Sequence, residues 1–117
     1  MSQSAENLSQ QAAVTRGVHH LGLTVPDLQA TRRFFIETLG YEQVGEVPEH
    51  PAVFLNDGKT MITLWQVKDP AAATAFDRHT VIGLHHLALS VDSEAELQRL
   101  HAVLQATPDV ELEFAPQ

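Results

Sequence analysis

The chain has 117 residues, 44% of them hydrophobic and 19% charged, which suits one compact domain with a buried core. Its 7 basic and 15 acidic residues give a net charge of −8, which argues against a broad nucleic-acid footprint and against a polybasic membrane anchor. Cysteine is absent, excluding disulfide scaffolds, thiol catalysis and zinc–thiolate sites, and no apolar run approaches the roughly 20 residues that span a bilayer.

Residues 1–16 are rich in Ser, Gln, Asn and Ala and are expected to form a disordered tail. They lack the apolar segment of a signal peptide, so a cytoplasmic location is expected. Patterned sequence begins at Gly17. Val18 to Val25 reads as a strand. Asp27 follows Pro26 as a helix N-cap, and Leu28, Thr31, Phe34, Phe35, Thr38 and Leu39 recur at helical spacing before Gly40. Tyr41 to Val47, Ala52 to Leu55 and Thr60 to Val67 read as strands, the last two joined through Asn56-Asp57-Gly58-Lys59, a strong hairpin signal.

Asp69 to Thr80 breaks the pattern and reads as a connector, with a helical turn at Ala71 to Ala75. The first strand then recurs. Gly17-Val-His-His-Leu-Gly-Leu-Thr-Val25 reappears 66 residues later as Gly83-Leu-His-His-Leu-Ala-Leu-Ser-Val91, with six of nine positions identical. After this second strand, from Leu84, Ser93 and Glu96 fit a capping box, and Leu97, Leu100 and Leu104 form the stripe of a helix that Pro108 ends. Val110, Leu112 and Phe114 alternate with Glu111 and Glu113 as a half-buried strand. The first copy has 27 residues after its helix, Tyr41 to Val67, and the second has 11, Thr107 to Gln117. By that comparison the second copy lacks two strands, roughly 16–20 residues. The expected organisation is a single domain over 17–117, with module one at 17–68, a linker at 69–82 and an incomplete module two at 83–117.

Side chains alternate across a strand. Leu21, Leu23 and Val25 share one face, as do Leu87, Leu89 and Val91, and these rows should pack on helices. The opposite faces carry His20, Gly22 and Thr24 in the first copy and His86, Ala88 and Ser90 in the second. Such small, polar faces suit a wet concave site better than a dry core. Two related strands side by side about a pseudo-twofold axis would bring His20 and His86 together, and paired neutral imidazoles are natural ligands of a divalent metal. Duplication would equally preserve two structural histidines. His19 and His85 are expected to point the other way, and His50, His79 and His101 have no such pairing.

The chain resembles the vicinal oxygen chelate superfamily, the group of glyoxalases, bleomycin-resistance proteins and extradiol dioxygenases, over about Gly17 to Phe114. The resemblance rests on His20-Leu-Gly-Leu-Thr-Val-Pro-Asp27, Arg33-Phe-Phe-Ile-Glu-Thr-Leu-Gly-Tyr41 and His86-Leu-Ala-Leu-Ser-Val-Asp92. It implies an α+β fold of paired βαβββ modules, a cupped mixed sheet with helices outside, here with the second module truncated. It implies a divalent metal held by His20 and His86, with iron, manganese, nickel and zinc not distinguished. Glyoxalase-like members use a Glu on the last strand of module one, a position that falls at Thr63. A hydroxyl there is a poor ligand or general base and counts against lactoylglutathione lyase chemistry. Dioxygenase-like members take a Glu from the final strand of module two, which this chain lacks. Met61, Thr63 and Trp65 share a strand face and by parity line the cup, with Trp65 either stacking on a ligand or serving as one more core aromatic. Two functions follow. One is a metal-dependent lyase or dioxygenase acting on a small oxygenated substrate, its catalytic residues unassigned and its carboxylate ligand missing from this chain. The other is a metal-free ligand-binding module of the bleomycin-resistance kind. A homodimer is expected, because missing strands leave a sheet edge open to another chain.

Overall fold

The computed structural model describes residues 13–117, so the expected N-terminal tail lies, up to residue 12, outside the described residues. Strand β1 (His20–Val25) leads through Pro26 into helix α1 (Leu28–Arg33), which continues as a π-helical turn over Phe34–Thr38. Strands β2 (Glu42–Val47), β3 (Ala52–Asn56) and β4 (Met61–Gln66) follow, and helix α2 (Glu94–Gln105) comes after a long irregular stretch. The four strands make one sheet in the order β1-β4-β3-β2. β1 runs parallel to β4, and the other neighbours are antiparallel. This is an α+β fold with an open mixed sheet.

Local chemistry explains each junction of this module. Asp27 caps α1 by accepting the Ala30 N–H at 3.1 Å. Gln66, the last residue of β4, clamps the same turn: its Oε1 accepts the Leu28 N–H at 2.8 Å and its Nε2 donates to the Pro26 carbonyl at 2.8 Å. One uninterrupted helix is expected from the spacing, but the chain widens into a π-helical turn after Arg33. The wider turn sets consecutive aromatics toward the core, with Phe35 buried and Phe34 packed against it. Gly40, at φ 80°, ends the run in the left-handed region, and the N–H groups of Gly40 and Tyr41 return to the carbonyls of Ile36 and Phe35. In the β3–β4 hairpin, Asp57 Oδ1 accepts the N–H of Lys59 at 2.9 Å and of Thr60 at 2.7 Å, while Gly58 takes φ 100°. Those two donors hold the Asp57 carboxyl below its ordinary range.

The core lies on one face of the sheet only. Val25, Val53, Leu55, Ile62 and Leu64 face Leu28, Phe35 and Tyr41, and Leu21 and Leu23 pack at its margin. Leu55, Ile62 and Leu64 are fully buried, each contributing about 1.5–3 kcal/mol through area removed from water. The Tyr41 hydroxyl is buried without a hydrogen-bond partner; burial pushes its pKa up, and the nearby Asp57 carboxylate adds to the shift.

The second copy folds differently from expectation. Its helix forms with half of the expected capping box: Ser93 Oγ accepts the Glu96 N–H at 3.1 Å, while the Glu96 carboxylate turns to Arg99. Its strands do not. Residues 84–91 and 110–114 pair with nothing among the described residues, so the cup of paired modules is present as its first half. Alternation says which way side chains point once a strand is paired; it supplies no partner. The connector makes a turn at 70–72 in place of a longer helical turn, and Arg78 pairs with Glu113 at 2.8 Å across the exposed surface.

Candidate functional site

The sheet face opposite the core carries the expected site residues. Strand register sets His20 beside Met61, Gly22 beside Thr63 and Thr24 beside Trp65. On the other flank of β4, Phe54 lies opposite Thr63, and Ala52 opposite Trp65. Thr63 is the one buried polar residue among those described, at 5% exposure. Trp65 Nε1 donates to Thr63 Oγ1 at 2.9 Å, which satisfies that oxygen and fixes the indole. Gly22 makes the arrangement possible: a Cβ there would sit 3.1 Å from Thr63 Oγ1 and 3.5 Å from Trp65 Nε1.

Around Trp65 stand two side chains that strand parity did not single out. The Phe54 ring lies 6.4 Å from the indole, tilted 47°, and the His50 ring 5.3 Å away, tilted 60°. Phe54 could have been found from the hairpin: the Asn56–Lys59 turn sets the β3–β4 register and so puts Phe54 across from Thr63. His50 sits in the β2–β3 turn, where no periodicity reports its direction.

The histidines divide. His20 lies on the open face near the start of β1, exposed, with Met61 as its register neighbour. Its Nδ1 is 2.9 Å from His19 Nδ1, and the two rings meet edge-to-face with centroids 5.2 Å apart. His19 was expected to turn away; it precedes the first paired residue, so strand alternation does not govern it. The second copy repeats this local geometry, with Nδ1 atoms of His85 and His86 2.8 Å apart and ring centroids at 5.0 Å. His86, however, sits on a segment that joins no strand, so the sheet does not draw it to His20. The structure thus gathers Met61, Thr63, Trp65 and His20 on one face of the sheet, and His86 lies on a segment outside the sheet. Among the described residues, no group of three His, Cys, Asp or Glu side chains gathers as a cation site, and no helix is long and apolar enough to cross a membrane.

Comparison with known proteins agrees with this architecture. The sequence model of the Glyoxalase/Bleomycin resistance protein/Dioxygenase superfamily matches residues 17–113. The chain is 35% identical over 83 residues to the mitochondrial methylmalonyl-CoA epimerase of Bos taurus, covering 65% of this chain and 47% of that protein. It therefore spans about half the length of that curated relative. It is similar to a glyoxylase/bleomycin resistance protein/dioxygenase domain from Frankia sp. EAN1pec, with TM-score 0.67 and 30% identity over 86% of this chain and 78% of that one. It shares the fold of a lactoylglutathione lyase from Agrobacterium tumefaciens, with TM-score 0.63 and 24% identity, covering 86% and 75% of the two chains.

Proposed function

The chain belongs to the Glyoxalase/Bleomycin resistance protein/Dioxygenase superfamily, and we propose that it is a metal-dependent enzyme of lyase or dioxygenase type acting on a small oxygenated molecule. The observation that carries this reading is His20: an accessible imidazole on the face shared by Thr63 and Trp65, repeated at His86 with the same neighbouring-histidine contact. The relative that is by name a methylmalonyl-CoA epimerase acts on an oxygenated acyl compound, which fits that substrate class.

The donor chemistry suits a divalent ion in kind. When His20 Nδ1 carries the proton shared with His19, Nε2 keeps its lone pair, and the same holds for His86 beside His85. In this reading the two meet when residues 83–91 lie along the open edge of β1 in a homodimer, with a carboxylate from outside the described face as third ligand. A metal held there would act as a Lewis acid on a bidentate oxygen substrate.

The chain's own residues supply binding and orientation. Thr63 Oγ1 accepts the indole N–H, which leaves its hydroxyl proton to donate to a substrate oxygen. A threonine hydroxyl does not take a proton at neutral pH, so Thr63 positions and does not act as the base. Trp65 offers an indole held at one angle by Thr63, and Gly22 permits the close approach of both, since a Cβ there would meet Thr63 Oγ1 at 3.1 Å.

Metal analysis of the purified chain tests the assignment, with His20→Ala and His86→Ala as controls. Each substitution is expected to lower bound metal at least tenfold, as loss of a ligand should. Stoichiometric metal that survives both would sink it. The Thr63–Trp65 hydrogen bond favours a second reading, a metal-free binding module, because it engages the position where a carboxylate ligand would stand. Ligand binding that persists in chelator would support this reading over the first.

A further inference from the structure

Helix α1 packs on the core face of the sheet through Leu28, and its outer side borders a cleft of about 560 Å³. That volume lies within the roughly 300–1,000 Å³ of small-molecule sites. One wall is α1 with its π-helical turn, and the other is the turn after α2 at residues 107–110. Thr107 Oγ1 donates to the Val103 carbonyl at 2.7 Å, which ties the second wall to α2. The apolar lining comes from Ala30, half-buried Phe34, Pro108 and Val110, with the Phe34 ring held edge-to-face on Phe35 at 5.9 Å. Three charged side chains also line the cleft: Arg33, Glu37 and Asp109. Arg33 and Glu37 stand four residues apart, a spacing at which opposite charges pair on a regular helix, yet they form no ion pair. The π-helical turn widens the chain between them, and a cation placed N-terminal to its anion is the weaker order. Arg16, Arg32, Arg78 and Arg99 each make a hydrogen bond, and Arg33 is the one described arginine that makes none. Glu37 and Asp109 likewise form no ion pair among the described residues.

We propose that this cleft is a second ligand site and that it takes an α-amino acid with an apolar side chain. The ligand carboxylate meets Arg33, its ammonium meets Glu37 and Asp109, and its side chain lies against Phe34 and Pro108. Charge complementarity selects this class. A plain carboxylate would bring a further anion toward Glu37 and Asp109, and a plain amine would leave Arg33 unanswered. A zwitterion that carries both charges on one carbon answers both signs about one helical turn apart. The site is on the helix side of the sheet and does not depend on the reading of His20 as a metal ligand.

Amide NMR spectra of the isotope-labelled full chain, titrated with L-leucine, test the proposal. Saturable shifts are expected at residues 30–38 and 107–110. Three analogues each remove one feature: N-acetyl-L-leucine the ammonium, L-leucinamide the carboxylate and glycine the apolar side chain. Each should bind about three- to tenfold more weakly than L-leucine, the scale of one lost charge pair or apolar contact. Arg33→Gln should erase the preference for L-leucine over L-leucinamide and keep that over N-acetyl-L-leucine. Glu37→Gln combined with Asp109→Asn should do the reverse. All three side chains are exposed, and Asn tolerates the left-handed φ of 64° at position 109, so these variants should keep the fold. His20→Ala should leave the titration unchanged. No saturable shift at millimolar L-leucine, shifts confined to other residues, or preferences that survive the matching substitutions would overturn the proposal.

Discussion

Residues 17–25 and 83–91 share six of nine positions and the same histidine–histidine contact, yet one forms a strand buried on one side and the other stays exposed and unpaired. Neighbours make the difference. β1 lies beside β4, whose Ile62 and Leu64 anchor the core, and α1 folds back over that face. The second copy is followed by a helix of equal promise, but α2 buries none of its residues. Its stripe of Leu97, Leu100 and Leu104 borders a shallow cleft with Leu112 and Phe114, where no sheet backs it. The lesson is energetic: an apolar row stabilises only against a surface that removes it from water, and the first copy builds that surface from the three strands after its helix.

The sharpest way to break this contrast is to remove matched apolar groups. Leu64→Ala should destabilise by about 2–5 kcal/mol in urea unfolding, since it empties a fully buried position. Leu89→Ala, at a residue 43% exposed, should stay within about 0.5 kcal/mol in dilute protein. If the Leu89→Ala cost rises with protein concentration, residues 83–91 are pairing between copies. A large cost independent of concentration would show the second copy packed as the first is.

A second test exchanges the residues that differ within the repeat. Copy one has Gly22 where copy two has Ala88. Gly22→Ala should cost about 1–3 kcal/mol and alter Trp65 emission, because the new methyl meets Thr63 Oγ1 at 3.1 Å. Ala88→Gly should leave unfolding nearly unchanged, position 88 being exposed and unpaired. Equal effects at both positions would mean that the close approach at Gly22 does not constrain the face.

The smallest effect concerns turns. Asp57→Ala should weaken the β3–β4 hairpin by about 0.5–1 kcal/mol, comparable to loss of a helix cap. Because the folded carboxyl is held below its ordinary value, its contribution is present above about pH 4 and fades as pH falls through the lowered pKa. The Ser93 cap has no titrating group, so α2 should show no such acid dependence from that source. Acid unfolding that is the same in wild type and Asp57→Ala would remove Asp57 from the account.

Much of the first module is legible because its signals are local. Asp27, Gly40, the Asn56–Lys59 turn and the Ser93 cap each act within a few residues, and each does what its chemistry suggests. The π-helical turn is not legible: six apolar or small positions at helical spacing do not reveal that Phe34 and Phe35 both turn toward the core. His50 is invisible for a related reason, since a turn residue's direction comes from the strands it joins.

The amino-acid sequence by itself determined the βαβββ order, the repeat, the apolar and polar faces of each strand, and the sharing of one face by Met61, Thr63 and Trp65. These depend on periodicity and short-range hydrogen bonding, which a chain carries wherever it goes. The tertiary structure alone decided that β1 takes β4 as its parallel neighbour, that Phe54 and His50 gather at Trp65, and that residues 83–91 remain without a strand. Those outcomes depend on which surfaces meet, and pairing partners distant along the chain are selected by packing and desolvation, not by any local pattern.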